Sequence, residues 1–307
     1  MIKDNYSPIC FFTYNRLKET IETINSLKEN HLASKSELFI FSDGYKNEKG
    51  RQKVEDVRKY INTIEGFKSV TVFESTVNKG LANSIIDGVS KIINEYDRVI
   101  VLEDDLVTSP NFLDFLNQAL TFYQEDNTIF SISGYTLNLS SLPGKKDYYF
   151  GYRASSWGWG IWRDRWKVID WKVTEYENFI KDRSLVEKFK RGGSDLPRML
   201  SNQINGRIDS WAIRFCFHQF KCNLMTVFPT KSKLISIGFS NEATNTIGSQ
   251  RFNTPLDKEI KRKFYFEKFN NIDQKVINEF ASKFSVKSRV YNQLFKKLSR
   301  LKNIFSK

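Results

Sequence analysis

Four short apolar runs, each ending in a polar loop and followed by an amphipathic stretch, constrain this chain more than any other feature. Residues 8–13, 38–41, 70–73 and 98–102 read as strands. Between them, Leu17, Ile21, Ile24 and Leu27 mark one helical face, residues 48–62 a second helix, and Leu81, Ile85, Val89 and Ile92 a third. Strands alternating with helices at roughly 25-residue spacing build βαβ units and a mostly parallel sheet, an α/β fold. In such an open sheet, ligands bind beyond the carboxyl ends of the strands. The residues just after the strands then gain meaning: Arg16, Asp43, Lys79, and the consecutive Glu103, Asp104 and Asp105. Three adjacent carboxylates repel unless a cation or several donors answer them. An acidic turn is the plain alternative for the cluster; Asp43-Gly44 is also an ordinary turn pair, and Arg16 and Lys79 are ordinary surface cations. On one rim, the set describes a site for an anionic, metal-bound ligand.

The second half has a different texture. Ser109-Pro110 precedes a helical stripe of Phe112, Phe115, Leu116, Ala119 and Tyr123, with Pro110 expected at its first position. Five of the six tryptophans fall between residues 148 and 171. Trp162 and Trp166 have helical spacing and belong to the core. Trp157 and Trp159 alternate with glycines in an expected loop, where indole faces suit sugar rings and glycines permit close backbone approach. A glycine-kinked apolar plug is the competing reading. Asp209 is expected in the first turn of a helix carrying Trp211 and Phe215, where a carboxylate complements the helix dipole. His218 reads as a core histidine.

With 307 residues and 40% apolar content the chain supports a large core, and no apolar run reaches spanning length. The three cysteines form no disulfide or metal pattern, and the amino terminus lacks a signal-type apolar stretch; the expectation is a cytoplasmic protein. Net charge is +13, but residues 281–307 hold eight Lys or Arg and no acid, leaving +5 elsewhere. Val290, Leu294, Leu298, Leu301 and Phe305 lie on one face of this tail. A basic amphipathic helix results, suited either to an anionic membrane surface or to docking on the globule. Nucleic acid is not expected as a partner, because acidic clusters interrupt the basic surface elsewhere.

The order Thr13-Tyr14-Asn15-Arg16, Ser42-Asp43-Gly44, Asn78-Lys79-Gly80-Leu81 and Leu102-Glu103-Asp104-Asp105 resembles the GT-A fold glycosyltransferases. The chain is similar to bacterial family-two-like sugar transferases of surface-polysaccharide synthesis and to the eukaryotic N-acetylglucosaminyltransferase I type. The likeness continues through Ser156-Trp157-Gly158-Trp159-Gly160, Ile208-Asp209-Ser210-Trp211 and Ser236-Ile237-Gly238-Phe239. The resemblance implies a Rossmann-like GT-A domain with a nucleotide-sugar-binding half (1–106), an acceptor half (107–265) and a basic helical tail (266–307). It implies a nucleotide-diphosphosugar donor, expected to be UDP-linked, a glycan or lipid-linked acceptor, and Mn²⁺ or Mg²⁺ as cofactor. By resemblance, Asp105 is the metal ligand, Glu103 and Asp104 face ribose and sugar, and Arg16 and Asp43 meet the base end. Lys79 approaches the base or a phosphate, Trp157 and Trp159 meet the acceptor, and Asp209 is the general base of an inverting reaction. The chain departs from bacterial relatives at Ser236 and Asn245, which leaves the 238–248 loop without an assigned role. Two other classes compete: a sugar-nucleotide pyrophosphorylase, disfavoured because no glycine-rich loop follows the first strand, and a non-catalytic adaptor using the basic tail on membrane or nucleic acid.

Overall fold

The computed structural model of the chain describes residues 6–238, 252–288 and 290. Strand β1 (Ile9–Thr13) is buried along its whole length, as expected for a central strand covered on both faces. It pairs in parallel with β2 (Glu37–Ser42) and with β4 (Arg98–Glu103), and β2 pairs in parallel with β3 (Ser69–Glu74). Helices α1 (Leu17–Lys28), α2 (Arg51–Ile61) and α3 (Leu81–Glu95) make the crossovers. All four expected strands and all three helices are present, so the sequence periodicity was enough to define this half.

The chain continues through β5 (Leu106–Thr108), α4 (Phe112–Phe122), β6 (Ile129–Ser133), β7 (Tyr148–Gly151), β8 (Trp159–Trp162) and α5 (Arg163–Lys167). Short helices α6 (Tyr176–Lys181), α7 (Arg183–Phe189) and α8 (Leu196–Ile204) lead to α9 (Trp211–Lys221), β9 (Met225–Pro229), β10 (Leu234–Ser236) and α10 (Gln274–Lys283). Among the described residues the main sheet has eight strands in the order β3-β2-β1-β4-β8-β6-β9-β7, and β5 and β10 form a small antiparallel pair. Strand β8 runs antiparallel between β4 and β6, so both halves of the chain share one sheet. Helix α4 begins at Phe112, two residues after Pro110, with Asn111 at its cap rather than proline at its first position.

Alternation along β1 divides the interior. Ile9 and Phe11 face a core built with α1, α2 and α4, whereas Cys10 and Phe12 face a second core with α3 and α9. Gly88 of α3 permits this packing, since a Cβ there would lie 2.6 Å from the Phe12 ring. The described part of the expected tail docks on the globule: Val276, Phe280 and Phe284 join the first core. The amphipathic repeat beyond Val290, and with it most of the basic tail, lies outside the described residues.

Candidate active site

The carboxyl ends of β1, β2 and β4 and the start of α3 form one rim. Register pairs Phe12 with Glu103 and Thr13 with Ser42, so the loops carrying Arg16, Asp43 and the carboxylates emerge side by side. Arg16 joins them. Its Nη1 donates to Asp105 Oδ2 at 3.0 Å, and its Nη2 donates to Asp104 Oδ1. Helix α1 supports the turn from below: Thr23 donates from Oγ1 to the Asp104 carbonyl at 2.9 Å and accepts the Leu106 N–H at 3.1 Å. Thr13 donates to Asp104 Oδ2 at 3.4 Å and shares a 2.9 Å hydroxyl contact with Thr20. Periodicity placed the apolar stripe of α1 at Leu17, Ile21, Ile24 and Leu27; the buried face includes Thr20 and Thr23, and polar residues on a core face were the signal available.

Electrostatics follow from this crowding. Burial, then Asp105 and Asp104, push the Glu103 carboxyl up to about 8, with Arg16 opposing. Burial also raises Asp104 to about 6 despite the guanidinium beside it. Burial pulls the Arg16 pKa down, but Asp104 and Asp105 more than offset it and the net shift is upward. One guanidinium thus contacts two of the three crowded carboxyl groups.

The small β5–β10 ladder closes the site. Ser236 pairs with Leu106, and the Ile237 N–H donates to the Asp105 carbonyl at 2.9 Å. Ile237 and Gly238 therefore lie against Asp105. A Cβ on Gly238 would lie 1.8 Å from Asp105 Oδ2, so a larger residue there must displace the Asp105 side chain. The rest of the 238–248 loop falls outside the described residues.

Asp43 has a different kind of place. Its carboxylate accepts the N–H groups of Gly44 and Lys79, each at 2.9 Å, of Gly80 at 3.0 Å, and the Asn78 amide at 3.1 Å. Four donors match the lone-pair sites of a carboxylate, so Asp43 shapes the loop that opens α3. Asn78, which opens the Asn78-Lys79-Gly80 motif without a role of its own in the sequence, also donates to the Gly44 carbonyl at 2.7 Å. Arg58 braces the same loop by donating to the Ser75 carbonyl at 2.7 Å and the Asp43 carbonyl at 3.3 Å. Lys79 sends its ammonium outward to Asp87 at 2.9 Å.

Asp209 precedes α9 instead of lying in its first turn; Ser210 caps the helix by accepting the Ile213 N–H. The Asp209 side chain is 58% exposed, with Arg214 Nη2 at 3.6 Å. It sits against the α3 loop, since a Cβ on Gly80 would be 3.5 Å from its Oδ2. Gly80 adopts φ +77°, the left-handed region.

The two tryptophans part company. Trp159 is a correction: it is a β8 residue, 1% exposed, stacked with Trp166 at 5.8 Å and near Trp211 at 5.0 Å, and cannot present a face to an acceptor. Trp157 is partly buried, edge-on to Tyr135 at 4.6 Å and to Phe252 at 5.6 Å. His218 is buried beside Phe130, as expected.

Among the described residues, no three His, Cys, Asp or Glu side chains converge as a complete metal-ligand set. The donors present are hard carboxylate oxygens without imidazole or thiolate. That chemistry fits a divalent ion held by one or two carboxylates and shared with phosphate oxygens.

A mostly parallel sheet flanked by helices, with acidic residues at the carboxyl end of its fourth strand, is the arrangement expected of a glycosyltransferase of the GT-A fold. Residues 9–181 match the profile of Glycosyl transferase family 2, more than half of the chain, and the chain belongs to that family. No curated protein sequence matches it. Solved structures resemble it in part. The mannosyltransferase PcManGT from Pyrobaculum calidifontis, in complex with GDP-Man and Mn²⁺, is 15% identical over 42% of this chain and 36% of its own, with a TM-score of 0.31. Residues 1–349 of S. aureus TarS are 12% identical, covering 76% of this chain and 61% of that one, with a TM-score of 0.42. The galactosyltransferase LgtC, in complex with donor and acceptor sugar analogues, is 11% identical over 71% of this chain and 72% of its own, with a TM-score of 0.36. No helix among the described residues is long and apolar enough to cross a membrane.

Proposed function

We propose that the chain transfers a sugar, with inversion, from a UDP-linked donor to a glycan or lipid-linked acceptor in surface-polysaccharide synthesis. The observation that carries this reading is the convergence of Arg16, Asp104 and Asp105 at the carboxyl end of the parallel sheet, with Gly238 packed against Asp105. Asp105 is the proposed ligand for Mn²⁺ or Mg²⁺, which when bound would supply Lewis-acid neutralisation of the departing diphosphate. Glu103 faces the donor ribose and sugar, while Asp104, buried and held by Arg16 and Thr13, keeps the acidic turn in register instead of meeting the donor. The base end runs along the loop that Asp43 shapes, with Lys79 beside it. Asp209, exposed on the same rim, takes the proton from the acceptor hydroxyl as that oxygen attacks the anomeric carbon from the face opposite the leaving group. Trp157 is the remaining aromatic platform for the acceptor. Residues 281–307 hold the enzyme at the anionic cytoplasmic face of a membrane.

A thermal-shift series with nucleotide sugars and Mn²⁺ tests the donor, because a ligand of the folded state raises its melting temperature. UDP-sugars should give the largest shift. A larger response to GDP- or CMP-linked sugars would overturn the base assignment.

A further inference from the structure

At the other end of the sheet, a cleft of about 910 Å³ opens beside the amino ends of β1 and β4, where Pro8 and Arg98 lie. Arg98 and Glu103 terminate the same strand, so the cleft is separated from the transfer site by the length of β4, about 16 Å. Helix α4 forms one wall and residues 262–266 the other. The second wall is fixed although it has no regular secondary structure. Gln118 donates to the Arg262 carbonyl at 2.7 Å and accepts the Phe264 N–H at 3.0 Å, while Tyr123 donates to the Glu267 carbonyl at 2.7 Å. The cleft is therefore preformed, and its volume falls within the range of small-molecule sites.

Its lining is amphipathic. Phe122 and Tyr265, one on each wall, leave 45% and 67% of their surface exposed. Thr121 of α4 and Gln124 just beyond it add polar groups, and Ser7 in the lining carries a buried hydroxyl without a partner among the described residues. An acyl chain would need continuous apolar walls, which Asp97, Asp114 and Arg262 interrupt. A sugar chain matches better, since its C–H faces stack on rings while its hydroxyls meet amides and hydroxyls.

We propose that this cleft is a second glycan-binding subsite, holding an oligosaccharide remote from the transfer site. The choice of ligand class rests on the glycosyl-transfer reading above. The test uses an oligosaccharide array probed with the full chain, with Phe122→Ala/Tyr265→Ala, and with Asp105→Asn, each checked by thermal melt. Both aromatic positions are solvent-exposed and outside the donor machinery. The wild type should bind a subset of glycans, the double variant should lose about tenfold or more in signal, and Asp105→Asn should retain it. A double variant that binds as the wild type does, or a wild type that binds no glycan while still shifting with nucleotide sugar, overturns the cleft and leaves transfer standing. Cleft-dependent binding without any nucleotide-sugar shift would instead sink the transfer reading.

Discussion

Arg16 Nη1 lies 3.0 Å from Asp105 Oδ2, and the same guanidinium engages Asp104, so one cation ties two successive acids of the turn to the end of β1. The Arg16 and Asp104 side chains are only 16% and 5% exposed, which makes the contact structural as well as electrostatic. Arg16→Ala leaves the buried Asp104 carboxylate without its partner and should cost about 3–5 kcal/mol in urea unfolding. Arg16→Lys should recover only part of this, because an ammonium cannot reproduce the two-pronged geometry. A loss below about 1 kcal/mol for the alanine variant would contradict the pairing.

Gly238→Ala is expected to act on chemistry through Asp105. The added Cβ would fall 1.8 Å from Oδ2 and must push the carboxylate aside. Displacements of this size typically reduce turnover by about 100-fold. Steady-state kinetics should show that fall with a near-normal melting temperature; unchanged turnover would mean that the Asp105 position is not critical.

Asp209 has little structural work to do, being 58% exposed with one ion-pair contact at 3.6 Å. Asp209→Asn should therefore fold normally and lose about 100- to 10,000-fold in kcat, the usual worth of a general base. Turnover within a few fold of wild type would remove Asp209 from that role.

Glu279 anchors α10 by accepting from the backbone and hydroxyl groups of Ser140 and Ser141, with distances between 2.6 and 3.1 Å. Burial acts against it, but these donors hold its carboxyl down at about 2, below the ordinary 4.5. A depressed folded-state pKa gives stability that is complete above about 4.5 and lost as pH falls toward about 2. Melting temperature should drop through that window in the wild type, with a shallower slope in Glu279→Gln. Identical slopes would refute the contribution.

The amino-terminal half was legible because a buried parallel strand and an amphipathic crossover each leave a periodic signature, and the rim followed from the strand ends. Strand β8 was not. Its pairing with Val99 and Ile132 spans distant sequence, and Trp159-Gly160-Ile161-Trp162 carries a glycine at a strand position. A Cβ at Gly160 would crowd the Leu120 methyls at 2.9 Å. Taking that segment for a loop put Trp159 at the surface, whereas pairing with Val101 places it in the core. The work of Asp43 was hidden for a related reason: Asp-Gly after a strand looks the same whether its carboxylate faces a ligand or collects four donors from a loop some 35 residues away.

The central claim is that Asp105 anchors the metal-bound diphosphate of a sugar nucleotide. Calorimetric titration of UDP with Mn²⁺ into the wild type and Asp105→Asn measures it directly. The wild type should bind, chelator should abolish binding, and Asp105→Asn should weaken it by about tenfold or more. Equal affinity in both proteins, or binding indifferent to chelator, would contradict the account.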